Sequence, residues 1–315
     1  MKKRIIAILI LANFFISCTT ITNKVLDVFL NNTNLPKDST FTFIQWLQKM
    51  TDTYDAKKGY DLKKYSYKGV LFYNLKKSDS KNAVVYVHGG GFLVNYVNST
   101  RFYFVEDLME KSKINFETIL VDMKGLQYPI QNMETEIVLK YIMKKYDNVV
   151  VVADSAGGNI ALSTLLKMRD EGHKMPDGLV LLSPFTDFSN TVESRKSNFS
   201  EDLLFGKKDV DLLYNNPYIK NVKDVRNPYI SPVYGTYEDF PKTLIQCSEE
   251  EVLRDDSVVV YNKMRKHGID AKLEIYKGVV HAFQLESIFN ETNGARKNIV
   301  KFLEGIYRDK GVKDK

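Results

Sequence analysis

Val149-Val150-Val151-Val152-Ala153-Asp154-Ser155-Ala156-Gly157-Gly158 is the stretch whose reading decides the fold. Four consecutive β-branched residues signal a buried strand. The apolar run ends at a serine, and residues 156–170 continue with a helical pattern. A serine on so tight a strand-to-helix turn has its Oγ thrust out at the top of the sheet. The turn is crowded, so the positions two before and two after the serine must be small, and here they are Ala153 and Gly157. The helix N-terminus behind Ser155 also favours negative charge nearby. Read without chemistry, the same residues are a glycine-rich turn or a helix cap.

Outward from this turn, strands and helices alternate. Apolar and β-rich runs predict strands over residues 65–74, 83–87, 116–121, 149–153, 179–182, 243–247 and 271–276. Helical patterns cover 100–111, with Ser99 or Thr100 as cap, then 134–146, 156–170, 256–267 and 296–307. Gly268 closes the helix that ends at His267. A shorter helical candidate lies around residues 41–50. This alternation predicts the α/β class, with a mostly parallel sheet covered by helices on both faces. Residues 185–240 break the pattern. They are polar and aromatic, interrupted by Asn216-Pro217, Asn227-Pro228 and Ser231-Pro232, and read as an insertion packed over one end of the sheet.

The bulk composition agrees. A chain of 315 residues, 44% hydrophobic, can bury the core of one large α/β domain with or without a small appendage. The net charge of +6 includes Lys2, Lys3 and Arg4; without them the balance is too small and dispersed to indicate nucleic acid. Met1-Lys2-Lys3-Arg4 is a positive n-region, and residues 5–16 form an apolar stretch too short to span a membrane. That layout is a secretory signal. Phe15-Ile16-Ser17-Cys18 resembles a bacterial lipobox, although Leu is typical where Phe15 stands. The resemblance implies a lipid on Cys18 and attachment to an envelope membrane; simple secretion and an uncleaved anchor are the alternatives. With Cys18 in the leader, no internal disulfide is expected, and Cys247 reads as a small buried hydrophobe in a strand.

Two further elements carry chemistry. His88-Gly89-Gly90-Gly91-Phe92 follows directly on a strand, and its glycines let backbone N–H groups approach a ligand. Acyl transfer needs such donors, because the carbonyl oxygen gains negative charge in the transition state. Gly90, Gly91 and the Ala156 N–H are the candidate oxyanion hole. A phosphate loop is the competing reading, but neither dinucleotide spacing nor a Gly-Lys-Ser/Thr ending is present. Of the four histidines, His88 belongs to the glycine loop, and His173 and His267 read as structural or surface groups. His281, in Gly278-Val279-Val280-His281-Ala282-Phe283 after the last strand, is the candidate general base. The acid should fall between serine and histidine. The segment from Cys247 to Asp256 offers Glu249, Glu250, Glu251, Asp255 and Asp256.

Together these pieces resemble the hormone-sensitive-lipase-like esterases, which have the α/β-hydrolase fold. The resemblance runs over about residues 65–303 and rests on HGGGF, DSAGGN, SPFTD, NPYISP, VLRDD and HAF. It implies an oxyanion hole from Gly90, Gly91 and Ala156, and a cap built from residues 20–60 and 185–240. It implies that Glu251 is the triad acid, because such proteins usually read Asp-Pro-Leu-Arg-Asp where this chain has Glu251-Val252-Leu253-Arg254-Asp255. Glu250 is the rival, while Asp255 and Asp256 are expected to cap the next helix. One departure is the segment Met123-Lys124-Gly125-Leu126-Gln127-Tyr128-Pro129, where the family usually has Tyr-Arg-Leu-Ala-Pro-Glu. The expected organisation is a leader over 1–18, a cap segment over 19–64, and a hydrolase domain over 65–315 with its insertion at about 185–240. The expected activity is hydrolysis of small, short-acyl esters by Ser155 and His281 through an acyl-enzyme, without cofactor or metal. A deacetylase of acetylated sugars would use the same parts, and a catalytically dead binding protein is the reading from another class.

Overall fold

The computed structural model describes residues 53–203, 205, 213 and 215–314. The expected leader with Cys18, the helical candidate at 41–50 and most of the expected 19–64 segment lie outside these residues.

Eight strands form one sheet: β1 (Asp61–Tyr67), β2 (Val70–Lys76), β3 (Asn82–Val87), β4 (Glu117–Asp122), β5 (Asn148–Asp154), β6 (Gly178–Leu182), β7 (Lys242–Ser248) and β8 (Ala271–Tyr276). Their spatial order is β1-β2-β4-β3-β5-β6-β7-β8. The two pairs at the β1 end are antiparallel and all the others are parallel. Helices α1 (Ser99–Lys111), α2 (Ile130–Lys145), α3 (Ala156–Asp170), α5 (Arg254–Lys266) and α6 (Asn290–Asp309) connect or follow the strands, and α4 (Ser194–Ser197) is a single turn.

The continuous apolar runs are explained by burial on both faces. Val85, Val87, Val151 and Ala153 join one core, together with α2, α3 and α5. Their strand neighbours Val84, Tyr86, Val150 and Val152 join a second core with α1 and α6 on the other face. Side chains alternate across a strand, so a strand covered twice must be apolar at every position.

Register brings the chemistry-bearing loops together. Val87 pairs with Ala153, Asp154 with Leu182, and Ser248 with Tyr276. Those strands are parallel, so the segments leaving their C-terminal ends line one edge of the sheet, where ligands meet open α/β sheets.

The structure moves two expected boundaries. β1 begins at Asp61, so residues 61–64 belong to the sheet and not to a cap segment. The run read as one β-rich stretch over 65–74 lies within a β1–β2 hairpin, turned at Lys68 and Gly69 with φ of 49° and 81°. Two positive φ values suit the twist of a two-residue hairpin. Among the described residues of 185–240 there is no strand; α4 and the 3-10 turns at Pro217–Ile219 and Pro232–Tyr234 lie there, and Leu213 is helical.

Candidate active site

Ser155 sits between β5 and α3 with φ 53° and ψ −121°, a strained conformation for a residue with a Cβ. The turn is pinned on both sides. The Ser155 N–H donates to the Leu182 carbonyl, and the Ser155 carbonyl accepts from the Gly158 and Phe185 N–H groups. Gly157 faces the backbone of Val87 and His88, where a Cβ would collide. That close approach is why the position two after the serine is glycine. Ala153, two before it, is fully buried in β5.

His281 reaches Ser155 from the loop after β8. Its Nε2 lies 2.8 Å from Ser155 Oγ and its Nδ1 lies 2.6 Å from Glu251 Oε2. A carboxylate only accepts, so Nδ1 carries the proton and Nε2 is left to accept from the serine. Burial alone would lower the His281 pKa; the Glu251 charge and hydrogen bond outweigh it and raise it above the ordinary histidine value. The loop is held by Ala282, left-handed at φ 52°, whose N–H donates to Ser183 Oγ at 3.0 Å.

Glu251 is buried, and its Oε1 accepts from the Ser248 N–H at 3.1 Å. Its loop is gripped by residues of the segment between β6 and β7, the one read from sequence as an insertion. Asn198 Nδ2 donates to the carbonyls of Glu249 and Glu251, and Asp202 Oδ2 accepts from the Val252 N–H at 2.8 Å. Nothing in a single sequence marks Asn198 or Asp202, because each acts about 50 residues away along the chain. Glu250 is turned to Ser248 Oγ and the Gly278 N–H. Asp255 and Asp256 were expected to cap the following helix, and the structure corrects this. No side chain caps α5. Asp255 accepts from the Ser194 N–H, and Asp256 accepts from Thr186, the Asp187 N–H and Arg195, so both dock the insertion.

The glycine loop leaves β3 against Ser155. Gly90 and Gly91 have φ of 127° and 62°. Gly90 accepts from the Leu93 and Val94 N–H groups, and Gly91 accepts from Asn216 Nδ2 at 3.0 Å. Among the described residues no acceptor takes the Gly90 or Gly91 N–H. The Ala156 N–H opens α3, where backbone donors have no partner within the helix. His88 donates from Nδ1 to the Gly89 carbonyl at 2.8 Å, and burial pushes its pKa down to about 4, so it stays neutral. His173 and His267 pair with Glu171 and Glu238 on other parts of the surface.

A small apolar cavity of about 20 Å³ adjoins Ser155, lined by Phe92, Phe185, Phe205, Leu213 and Leu253 among others. A roomier cavity of about 230 Å³ lies between Tyr128, Asn132, Ser163 and Lys167 and touches neither Ser155 nor His281, so volume alone does not locate the chemistry. Glu136, Glu171 and His173 bring ligand atoms within 4.8 Å of one another. Lys140 and Lys167 already neutralise both carboxylates, which leaves little charge for a cation.

A sequence model described as alpha/beta hydrolase fold matches residues 84–285. The chain is 25% identical to an esterase of Acinetobacter venetianus over 74% of this chain and 78% of that protein. It is 25% identical to the esterase LipU of Mycobacterium tuberculosis, over 67% of this chain and 73% of the relative. Its fold superposes on a hormone-sensitive lipase from a metagenome library with a TM-score of 0.78, at 23% identity, covering 90% and 96% of the two chains. With the sheet order and the serine turn described above, these matches mean that the chain belongs to the alpha/beta hydrolase fold family.

Proposed function

We propose that this chain is a serine esterase, a carboxylic ester hydrolase that cleaves small, short-acyl esters. The observation that carries this reading is the relay from Glu251 through His281 to Ser155 Oγ, at 2.6 and 2.8 Å, on the C-terminal edge of the sheet. In the proposed cycle, Ser155 Oγ attacks the ester carbonyl carbon as its proton passes to His281 Nε2. The Gly90, Gly91 and Ala156 N–H groups hold the developing oxyanion. His281 then returns the proton to the leaving alkoxide, and an alcohol departs from the acyl-enzyme. A water molecule, deprotonated by His281, attacks the acyl carbon; Ser155 regains its proton and the carboxylic acid leaves. Glu251 keeps the proton on Nδ1 and stabilises the imidazolium of both half-reactions.

Support for short acyl chains comes from the aromatic side chains Phe92, Phe185 and Phe205, which wall the space beside Ser155. Relatives named as esterases support the reaction class. We also propose that Cys18 is lipidated and holds the enzyme at an envelope membrane, a reading that rests on the Lys/Arg start, the short apolar run and Ser17-Cys18. The test of the activity is p-nitrophenyl acetate hydrolysis together with labelling by a fluorophosphonate probe. Wild type should turn over and be labelled at Ser155, and Ser155→Ala should lose both, with activity down by at least ~10³-fold. Near-normal turnover by that variant would sink the mechanism.

A further inference from the structure

The residue before the nucleophile is a buried carboxylate, and it faces the oxyanion loop. Asp154 is 1% exposed. Its Oδ1 accepts from the Gly89 N–H at 2.9 Å and from Tyr86 Oη at 2.6 Å. Its Oδ2 accepts from Arg101 Nη2 at 2.9 Å. The Gly89 carbonyl is held in turn by His88 Nδ1. Both sides of the Gly89 residue are therefore fixed, one residue before the Gly90 donor. Contact is so close that a Cβ on Gly89 would collide with Asp154 and with Ser155 Cβ.

Electrostatics makes this arrangement conditional. A negative charge fixed beside Ser155 opposes the negative charge that develops on the substrate oxygen. Burial also disfavours the Asp154 carboxylate; the Arg101 charge and hydrogen bond, with Tyr86 and the Gly89 N–H, outweigh that and hold its pKa below the ordinary range. Arg101 is the only cation paired with Asp154, and no second carboxylate pairs with Arg101, among the described residues. Its Nε is buried without a hydrogen-bond partner among the described residues.

We propose that Arg101 is a positioning residue for the esterase reaction: it neutralises Asp154, and the pair anchors Gly89 so that the Gly90 and Gly91 N–H groups stay aimed at the oxyanion. The proposal rests on the reading of Ser155 as nucleophile. A purely structural role would lower the amount of folded enzyme; the role proposed lowers turnover per active site.

The experiment measures kcat and KM for p-nitrophenyl acetate, normalised to the fraction labelled by a fluorophosphonate, in wild type, R101M, R101K, D154N and R101M/D154N. R101M should lose about 30-fold or more in kcat, with KM changed less than about threefold, because oxyanion donors act mainly in the transition state. R101K keeps the charge and should stay within about fivefold of wild type. D154N removes the charge that Arg101 balances, and its amide oxygen can still accept from Gly89. The step from D154N to R101M/D154N should therefore cost less than about threefold. Equal losses on removing Arg101 with and without the Asp154 charge overturn the proposal, as does a fall in labelled fraction with kcat per labelled site unchanged. If R101M does not yield folded protein, R101K and the D154N pair decide: a loss beyond about tenfold in R101K, or in the step from D154N to the double variant, rejects it. Absence of both turnover and labelling in wild type would instead reject the esterase reading itself.

Discussion

The Glu251 carboxylate lies 2.6 Å from Nδ1 of His281, while its chain neighbour Glu250 points to Ser248 Oγ and the Gly278 N–H, each at 3.0 Å. Two adjacent glutamates thus have separate work. One faces the imidazole, and the other ties the acid loop to the start of the histidine loop. Glu251→Gln should lower kcat by ~10²–10⁴-fold, because the amide cannot stabilise an imidazolium as a carboxylate does. Glu250→Gln should cost less than ~10-fold. Steady-state kinetics on the two variants checks this, and a crippled Glu250 variant beside an active Glu251 variant reverses the assignment.

The pH profile carries a second expectation. The base must be neutral to take the serine proton, so kcat/KM falls as pH drops through the His281 pKa. The Glu251 charge holds that pKa above the ordinary value, against the opposite pull of burial. The acidic limb of the wild-type profile should therefore lie above about 6.5. In Glu251→Gln the charge is gone and burial remains, so the limb should move to lower pH while the plateau falls. A limb that stays in place would mean that Glu251 does not set the titration of the base.

Stability should depend on an ion pair outside the relay. Arg195 Nη2 lies 3.0 Å from Asp256 Oδ2, with both side chains fully buried, and joins the insertion to α5. Removing one partner strands the other charge in the interior. Arg195→Met should cost about 3–5 kcal/mol in denaturant unfolding, and Asp256→Asn in the same chain should recover part of it. A loss under about 1 kcal/mol for Arg195→Met would show that this pair does not secure the insertion.

The parts of this site that are legible in the sequence are those written in consecutive residues. The serine turn is a strand, a serine and a glycine in ten positions, and the histidine stands alone after the last strand. Glu251 required a register borrowed from similar proteins, because five carboxylates crowd the segment and local pattern does not rank them. Asn198, Asp202 and the Arg101–Asp154 pair are not legible, since each contact joins residues about 50 positions apart. The β1–β2 hairpin was obscured for a local reason. Its turn is Lys68-Gly69, and a lysine at positive φ gives none of the signal that Asn or Asp gives.

The proposed lipid anchor at Cys18 carries its own prediction. If Cys18 carries a lipid, the mature chain begins at that residue and fractionates with membranes, and Cys18→Ala moves to the soluble fraction or keeps its leader. Intact-mass analysis of the purified protein reads the N-terminus directly. A mature terminus elsewhere, or unchanged fractionation of the variant, rejects the anchor.

Phe205 is the residue through which acyl length can be tested. Its ring meets the His281 ring edge-on, with centroids 4.8 Å apart, and it also walls the small cavity beside Ser155. Phe205→Ala should have two separable effects. Loss of the edge contact loosens the imidazole and should lower kcat for acetate by about two- to fivefold, the scale of one aromatic contact. Loss of the wall opens room for longer chains. Each further methylene that becomes buried is worth about 0.8 kcal/mol, or about fourfold in kcat/KM. The ratio of octanoate to acetate hydrolysis should then rise by at least about tenfold in Phe205→Ala. The measurement is kcat/KM over a series of p-nitrophenyl esters from acetate to octanoate, in wild type and variant. A loss that is uniform along the series means that Phe205 supports the histidine but does not bound the acyl site. Wild-type enzyme that already prefers octanoate to acetate removes the short-acyl reading altogether.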